Sequence, residues 1–230
     1  MKIAAADDEK ELLDQLASII ENAGHQIDTF TNGRDLITAL QRETYDVVLA
    51  DWNMPERTGL EVLHWAGDNM SPLPPFIMIT SRQDSGDIVR ALNAGAVDYI
   101  IKPENDQVIL ARVVAASRRL MTQKPEAKVS YGKYEIDRSN KTIQLNGHQV
   151  SLTGKEFDLL DLLFQNRDRP LSRSYLLTNV WGASEALETR TIDVHISRLR
   201  AKLDLKPENG FVIRTVFGFG YRMDEVAETP

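Results

Sequence analysis

The sequence predicts a doubly wound α/β domain built on a five-stranded parallel sheet, followed by a smaller α+β domain. The front part of the 230-residue chain alternates short apolar runs with longer amphipathic stretches, which is typical of parallel sheets flanked by helices. The back part opens with alternating strand patterns joined by turn signals and then becomes helical. The length also favours two hydrophobic cores of ordinary size over one.

Five apolar runs predict the strands of the first domain, at residues 3–6, 26–30, 47–50, 76–80 and 97–101. The stretches between them have helical periodicity; Leu12, Leu16 and Ile19, for example, recur at spacings of three and four residues. Residues 122–128 are polar, contain a proline and have no apolar period. We therefore predict domains at 1–121 and 129–230, with 122–128 as the linker.

Strand patterns near 134–136, 143–145 and 150–152 open the second domain, and Asn146-Gly147 is a hairpin turn signal. Thr153 and Glu156 have the spacing of a capping box in front of an apolar helix. Two further helices are expected at 172–180 and 188–204, and a closing hairpin at 211–223.

Composition excludes several classes of protein. The chain has no cysteine, so disulfides, thiolate zinc sites and cysteine nucleophiles are ruled out. Its start becomes acidic at Asp7 and Asp8, which is unlike a secretion signal, and no apolar run is long enough to span a membrane. We expect a soluble, cytoplasmic protein with no membrane partner.

The formal charge of −7 is unevenly distributed along the chain. Residues 1–122 hold 11 Lys and Arg against 19 Asp and Glu, a net charge of −8, whereas residues 129–230 hold 14 of each. Within the second domain, residues 172–222 carry 8 basic and 5 acidic groups, a net charge of +3. A locally basic segment is therefore present in an acidic protein.

Polar residues follow four of the five predicted strands. They are Asp7 and Asp8 after the first strand, Asp51 and Asn53 after the third, Thr80 and Ser81 at the end of the fourth, and Lys102-Pro103 after the fifth. Each has an ordinary explanation when taken alone, such as Asp8 capping the next helix or Lys102 lying in solvent. Because ligands bind at the carboxyl ends of parallel strands, the joint occurrence predicts one site.

The residue types at this site indicate phosphoryl chemistry. Clustered carboxylates repel one another unless a cation lies between them, and their hard oxygen ligands suit Mg²⁺, or Mn²⁺ in its place, so we expect Asp7, Asp8 and Asp51 to hold the metal. A carboxylate can also accept a phosphoryl group, and the transfer requires mainly positioning and charge neutralisation, which Lys102 can supply. Thr80 can then donate a hydrogen bond to a phosphoryl oxygen.

This set, with Asp51-Trp-Asn-Met-Pro55 and Lys102-Pro103, resembles the receiver domain of two-component signalling. The resemblance implies that Asp51 is the phosphoacceptor for a sensor histidine kinase. It further implies that the Asn53 backbone carbonyl binds the metal, that Asp7 acts partly through water, and that Thr80 and Tyr99 form a switch pair. It also implies a cis Lys102–Pro103 peptide. The protein would be a switch with at most slow self-dephosphorylation, not a turnover enzyme.

Residues 190–202, placed on a helix, give two opposed faces. Ile192, Ile196 and Leu199 form an apolar stripe that Leu203 continues, whereas the opposite side is slim and basic. Such a face suits a DNA groove, although an ordinary solvated helix face has the same pattern. The DNA-contacting candidates on this helix are Arg190, Thr191, Val194, His195, Ser197, Arg198 and Lys202.

Trp181-Gly182 and the terminal segment Thr215-Val-Phe-Gly-Phe-Gly-Tyr-Arg222 resemble the output domain of OmpR/PhoB-type winged helix-turn-helix regulators. The resemblance implies a recognition helix near 189–203 and a wing at 211–223. It also implies homodimers of the active protein on double-stranded DNA with tandem half-sites, and RNA polymerase as a further partner. Arg214, Thr215 and Arg222 are the DNA-contacting candidates in the wing.

The chain departs from this family at two places. Family wings commonly carry an arginine where this chain has Phe217, so we hypothesise that Arg214 or Arg222 replaces it. The family's dimer face uses crossed ion pairs, whose acidic members are replaced here by Asn93, Val97 and Val108. A partly apolar dimer face that depends less on phosphorylation is therefore expected.

Two alternatives remain open at this point. An acidic magnesium pocket also suits an aspartyl-phosphate phosphatase, but such enzymes need a second aspartate two residues after the nucleophile, where this chain has Asn53. The other alternative is a receiver coupled to a winged helix that binds a protein partner instead of DNA; a steep fall of DNA affinity with salt would argue against it.

Overall fold

The computed structural model describes residues 1–81, 84–118, 126–182 and 190–226, with the backbone alone at Arg190. The chain divides into two compact units, residues 1–122 and 123–230. Most of the predicted linker lies outside the described residues. Its last residue, Lys128, already begins the first strand of the second unit.

The first unit alternates strands and helices along its whole length. Its elements are β1 Lys2–Ala6, α1 Lys10–Asn22, β2 Gln26–Phe30, α2 Gly33–Leu40, β3 Val47–Ala50, α3 Gly59–Asn69, β4 Phe76–Thr80, α4 Ser85–Asn93, β5 Asp98–Ile101 and α5 Asp106–Ser117. The strands form one parallel sheet in the order β2-β1-β3-β4-β5. This confirms the predicted doubly wound five-stranded fold. β1 begins one residue earlier than predicted and β5 one residue later, and the other three strands begin where expected.

Two apolar layers cover the sheet, one on each face, so its central strands are buried on both sides. β3 and β4 are buried at every residue, in agreement with their continuous apolar sequence. On one face, Leu13, Leu16 and Ile20 of α1 pack with α5 residues, and on the other face α2 and α3 contribute a second cluster. The sheet is therefore a rigid base for the residues at its strand ends.

The second unit has an α+β architecture with two antiparallel sheets. Its elements are β6 Lys128–Tyr131, β7 Tyr134–Asp137, β8 Thr142–Leu145, β9 His148–Val150, α6 Gly154–Gln165, β10 Leu171–Ser172, α7 Arg173–Trp181, α8 Arg190–Lys202, β11 Phe211–Val216 and β12 Gly220–Glu225. β6 to β9 form a four-stranded sheet, and β10, β12 and β11 form a three-stranded one.

Local sequence signals explain most of these elements. Thr153 and Glu156 form the predicted capping box at the start of α6. Asn146 and Gly147 both have positive φ, 52° and 76°, as a two-residue hairpin turn requires. The closing hairpin ends at Glu225, two residues later than predicted. Neither β6 nor β10 was predicted; the two residues of β10 are too few to carry a periodicity.

Candidate functional site: a carboxylate pocket and a helix with a hairpin

The predicted pocket residues of the first unit lie together at the carboxyl edge of the sheet. Backbone hydrogen bonds continue the strand pairing beyond the strands: Asp51 N–H donates to the Ala6 carbonyl at 2.9 Å, and Lys102 N–H donates to the Thr80 carbonyl at 2.9 Å. Since these bonds belong to the sheet, they fix where the Asp51 and Lys102 side chains begin.

A glycine not identified in the sequence makes room for this arrangement. A Cβ atom at Gly59, the first residue of α3, would lie 2.1 Å from the Asp51 carbonyl oxygen. Only glycine allows the helix to approach the phosphoacceptor candidate this closely. The Gly59 N–H also donates to the Trp52 carbonyl at 3.0 Å, which closes the loop after β3.

Three carboxylates converge at the pocket. Asp7, Asp8 and Asp51 each offer an oxygen, and these atoms lie within 4.8 Å of one another. Asp7 and Asp51 are buried, whereas Asp8 is exposed. Asp8 does not cap α1: the residue before the helix is Glu9, whose N–H donates to Asp7 Oδ1 at 2.9 Å. The ordinary explanation of Asp8 as a helix cap is therefore wrong.

Lys102 places its ammonium group among these carboxylates. Its Nζ lies 2.6 Å from Asp7 Oδ2, 3.6 Å from Asp51 Oδ1 and 3.2 Å from Glu9 Oε1. The contact with Glu9 was not anticipated from the sequence. The Lys102–Pro103 peptide is cis, as the resemblance implied, and Ser71–Pro72 is cis as well.

Burial and charge act in opposite directions on this cluster. Burial raises the pKa of Asp7 and outweighs the hydrogen bond from Lys102, which lowers it. Burial works against the charged form of Lys102, but the Asp7 hydrogen bond and the charge of Asp51 raise its pKa overall. Lys102 therefore stays protonated, and its single positive charge only partly offsets the negative charge around it.

The donor set fits a hard divalent cation. Asp51 Oδ2 accepts the Asn53 N–H at 3.1 Å, which orients the carboxylate. Both oxygens of Asp7 accept hydrogen bonds, Oδ2 from Lys102 and Oδ1 from the Glu9 N–H. Asp51 Oδ1 also lies 3.6 Å from Lys102 Nζ, whereas Asp8 is exposed. All-oxygen sites with room for water suit Mg²⁺.

Thr80 and Tyr99, the predicted switch pair, lie on the same face of the sheet. Tyr99 is paired with Met78 on the neighbouring strand, two residues before Thr80. Thr80 is fully buried, with 0% of its surface exposed, and Tyr99 is half-buried against the cluster that contains Met78. Thr80 is therefore the more buried member of the pair.

The predicted helix of the second unit has the two expected faces. Ile192, Ile196 and Leu199 are fully buried, and Leu203 continues the stripe beyond the end of α8. On the opposite side Ser197 and Arg198 are exposed, and 49% of Val194 is exposed. Arg198 has no ion-pair partner among the described residues. The slim, basic side of α8 is thus open to a large ligand.

Two candidates at the edges of this face have contacts inside the unit. Half-buried His195 places its ring 5.0 Å from the ring of Trp181, edge to face, and its Nδ1 lies 2.8 Å from the Thr191 carbonyl oxygen. Lys202 Nζ lies 2.7 Å from Oε2 of Glu156, a carboxylate that is 1% exposed. Lys202 therefore joins the end of α8 to the start of α6.

The predicted wing is the hairpin of β11 and β12. Arg214 lies directly opposite Arg222, on the face turned away from the buried residues Ile213 and Met223. Both arginines bind Asp224: Arg214 Nε lies 2.6 Å from Oδ2, and Arg222 Nε contacts Oδ1. The charge of Asp224 offsets part of theirs, a pairing that the sequence did not indicate.

The hairpin is fastened to α8 by polar contacts that were also not anticipated. Arg200 donates to the Ile213 carbonyl, at 2.6 Å from Nη2, and to the Thr215 hydroxyl at 3.2 Å. The Tyr221 hydroxyl donates to Asp193 Oδ1 at 2.6 Å. Exposed Thr215 thus lies beside a cation from α8. Helix and hairpin form one continuous surface.

Comparisons with known proteins agree with this two-part organisation. The family model described as "Response regulator receiver domain" matches residues 3–114, and the one described as "Transcriptional regulatory protein, C terminal" matches residues 147–223. The DNA-binding response regulator MtrA of Mycobacterium tuberculosis H37Rv is 35% identical over 221 residues, which cover 96% of each chain. Sensory transduction protein RegX3 of the same strain is 33% identical over 225 residues, covering 96% of this chain and 98% of its own.

Among solved structures, the response regulator DrrB of Thermotoga maritima, an OmpR/PhoB homolog, matches at 28% identity with a TM-score of 0.46; the match covers 97% of this chain and 98% of that one. No helix in the described parts of the chain has the length and apolar character needed to cross a bilayer. The sequence matches cover both units, and the chain belongs to the two-component response regulators that join a receiver domain to an OmpR/PhoB-type winged-helix DNA-binding domain.

Proposed function

We propose that the chain is phosphorylated on Asp51 by a sensor histidine kinase and that this modification controls its binding to DNA. The main support is the position of the buried Asp51 carboxylate, which is oriented by the Asn53 N–H and lies 3.6 Å from the Lys102 ammonium group. An Asp51 oxygen attacks the phosphorus of a phosphohistidine, forming a P–O bond as the P–N bond breaks and the imidazole leaves.

The residues around Asp51 have distinct roles in this proposal. Lys102 neutralises charge on the phosphoryl oxygens. Asp8, Asp51 and the Asn53 carbonyl would hold Mg²⁺ or Mn²⁺, and Asp7 would act through water. The metal would supply further neutralisation of the transferring group. After transfer, the Thr80 hydroxyl turns to the phosphoryl group, and Tyr99 moves into the space beside it. The buried state of Thr80 makes this a conformational signal.

Self-dephosphorylation is slow in this proposal. Water attacks the phosphorus, inorganic phosphate leaves and the Asp51 carboxylate is restored. The residue two positions after Asp51 is Asn53, whose amide cannot take the proton from that water. This favours a switch over a phosphatase.

Intact-protein mass spectrometry tests the proposed modification. The full chain is incubated with Mg²⁺ and an acyl phosphate, and the same is done for Asp51→Asn and for Asp46→Asn, a control that changes another buried carboxylate, located before β3. We expect one phosphoryl adduct in the wild type and in Asp46→Asn and none in Asp51→Asn. An adduct that survives in Asp51→Asn would overturn the assignment.

For the output domain, we propose that α8 enters the major groove with Arg190, Thr191, Val194, Ser197 and Arg198 toward the DNA, with His195 and Lys202 at its edges. Thr215, Arg214 and Arg222 would lie along the adjacent backbone. The open basic side of α8 supports DNA over a protein partner. DNA affinity of the full chain should fall steeply with salt, and an affinity that is insensitive to salt would favour the protein-binding alternative.

The active form is proposed to be a homodimer on tandem half-sites, acting with RNA polymerase in the cytoplasm. Among the described residues of the receiver, the exposed large apolar side chains are Val89 and Leu92 of α4 and Ile101 of β5. Arg112 of α5 is paired within its own chain with Asp98, at 2.8 Å. An apolar face of this kind supports association with less dependence on phosphorylation. Analytical ultracentrifugation with and without a phosphoryl mimic tests it, and a strict monomer-to-dimer switch would contradict it.

A further inference from the structure

The tip of the wing presents a bare aromatic ring. Pairing of Val216 with Gly220 closes a three-residue loop, in which Phe219 N–H donates to the Val216 carbonyl at 3.0 Å. Phe217 is the first residue of this loop, and Gly218 after it takes a φ of +72°, which glycine adopts readily. Phe217 is 94% exposed, although burial of an apolar ring of this size is favourable. The fold does not use this ring for its own stability.

Its position connects the ring to the proposed DNA surface. In the described residues of the second unit, the exposed large apolar side chains are Val194 and Phe217. Val194 lies on the open side of α8, and Phe217 lies at the end of the hairpin that Arg200 and Tyr221 fasten to that helix. The two exposed apolar side chains therefore lie on the two elements that are proposed to contact DNA.

The charges at the base of the tip are those that a polyanion requires. The Arg173 guanidinium lies 5.2 Å from the centre of the Tyr221 ring and the Arg200 guanidinium 5.8 Å from it. Arg173 also donates its backbone N–H to the Phe219 carbonyl at 3.2 Å, so the tip emerges beside these two cations. Among the described residues, Asp193 pairs with Arg173, with Nε 3.4 Å from Oδ1, and Arg200 has no ion-pair partner. The DNA minor groove, with phosphates along its rims and apolar sugar edges inside, complements this arrangement.

We propose that Phe217 enters the minor groove next to the stretch contacted by α8 and wedges against a flexible base step. The proposal rests on the DNA-binding function given above and adds an apolar element of recognition. A ring at this position carries no charge, so it reads the width and deformability of the groove and not its potential. Sites with an easily unstacked pyrimidine–purine step at the wing position would then be preferred.

The test measures affinity, salt dependence and DNA bending together. The full-length wild type, Phe217→Ala and Phe217→Arg are titrated by fluorescence anisotropy against a duplex that the wild type has selected from a random-sequence pool. Because the ring is almost fully exposed, neither change should alter folding, and circular dichroism checks this. Energy transfer between dyes at the duplex ends reports the bend.

We expect Phe217→Ala to bind about tenfold more weakly, with an unchanged salt slope and a smaller bend, since it loses an aromatic contact with the bases and no charge. Phe217→Arg should recover affinity at low salt and steepen the slope by about 0.9. Equal affinity and equal bend for the wild type and Phe217→Ala would overturn the wedge while leaving DNA binding intact. A wild type that selects no duplex would overturn both the wedge and the proposed DNA binding.

Discussion

Replacing Lys202 with methionine should reduce the stability of the second domain by more than it reduces the free energy of DNA binding. The Lys202 ammonium lies 2.7 Å from Oε2 of Glu156, and that carboxylate is 1% exposed. Methionine keeps much of the length and apolar volume of the lysine side chain but removes its charge. The buried carboxylate would keep the hydrogen bond from Thr153 N–H, at 2.8 Å, and lose its counter-ion.

The size of the effect follows from the unequal burial of the two partners. Removing one member of a fully buried pair costs about 3–5 kcal/mol, because a charge is left without compensation. Lys202, however, is 38% exposed, so water already screens the pair and can solvate part of the orphaned carboxylate. We therefore expect a loss of about 1–2 kcal/mol, between the values for buried and surface pairs.

Hydrogen exchange followed by mass spectrometry measures this loss within the intact chain. Protection of peptides from α6 and α8 should fall about tenfold, which corresponds to about 1.4 kcal/mol, while receiver peptides serve as an internal reference. Lys141→Met is the matched control: Lys141 Nζ lies 2.7 Å from Asp158, but the two side chains are 58% and 33% exposed. This control should change protection by less than about 0.5 kcal/mol.

DNA binding gives the second part of the test. If Glu156 holds the ammonium group, Lys202→Met should leave the salt slope of DNA affinity nearly unchanged. The reasoning would be refuted by unchanged protection of α6 together with a salt slope smaller by about 0.9. Lys202 would then be the phosphate contact that the sequence pattern predicted.

Three further predictions concern charge. Arg198→Ala should lower the salt slope of DNA affinity by about 0.9, and Arg214→Ala by less than half as much, since Asp224 already neutralises part of its charge; anisotropy over a salt series measures both. Mg²⁺ at a hundredfold excess over its Kd should raise the free energy of unfolding of the receiver by about 2.7 kcal/mol, as measured by denaturant unfolding. Asp8→Asn should need far more Mg²⁺ for the same increase. Burial acts against ionisation of Glu156, but the Lys202 hydrogen bond lowers the pKa of this carboxyl group below 4.5. The ionised Glu156 should therefore contribute its full stabilisation above pH 4.5 and lose it as the pH falls through the pKa of the folded state. The acid unfolding curve of Glu156→Gln should lack this contribution.

The first domain was predictable because its signals are local and repeated. β3 and β4 are buried on both faces, so their sequences are unbroken apolar runs with clear ends. The pocket residues follow from one rule, that the carboxyl ends of parallel strands share an edge. The contact of Glu9 with Lys102 was not predictable, because it depends on how α1 begins and not on a strand end.

The second domain was less predictable where residues far apart in sequence meet. The faces of α8 follow from helical periodicity, and the structure agrees with them at each buried position. Asp224 neutralises Arg214 only because the hairpin register sets Arg214 opposite Arg222, and register depends on the turn. Glu156 was predicted as a capping residue, which it is, but its bond to Lys202 requires the packing of α6 on α8.

Acidic residues have opposite effects in the two units, and this explains why an acidic chain can bind DNA. In the receiver pocket, Asp7, Asp8 and Asp51 converge around one ammonium group, so the negative charge exceeds the positive and a divalent cation is favoured. In the output domain, acids such as Asp224 and Asp193 are bonded to neighbouring arginines and add little repulsion of their own. Among the described residues of α8 and the wing tip, Arg198 and Phe217 are exposed, and no acidic side chain is paired with Arg198. Local pairing, and not the total of −7, therefore determines which ligand each domain attracts.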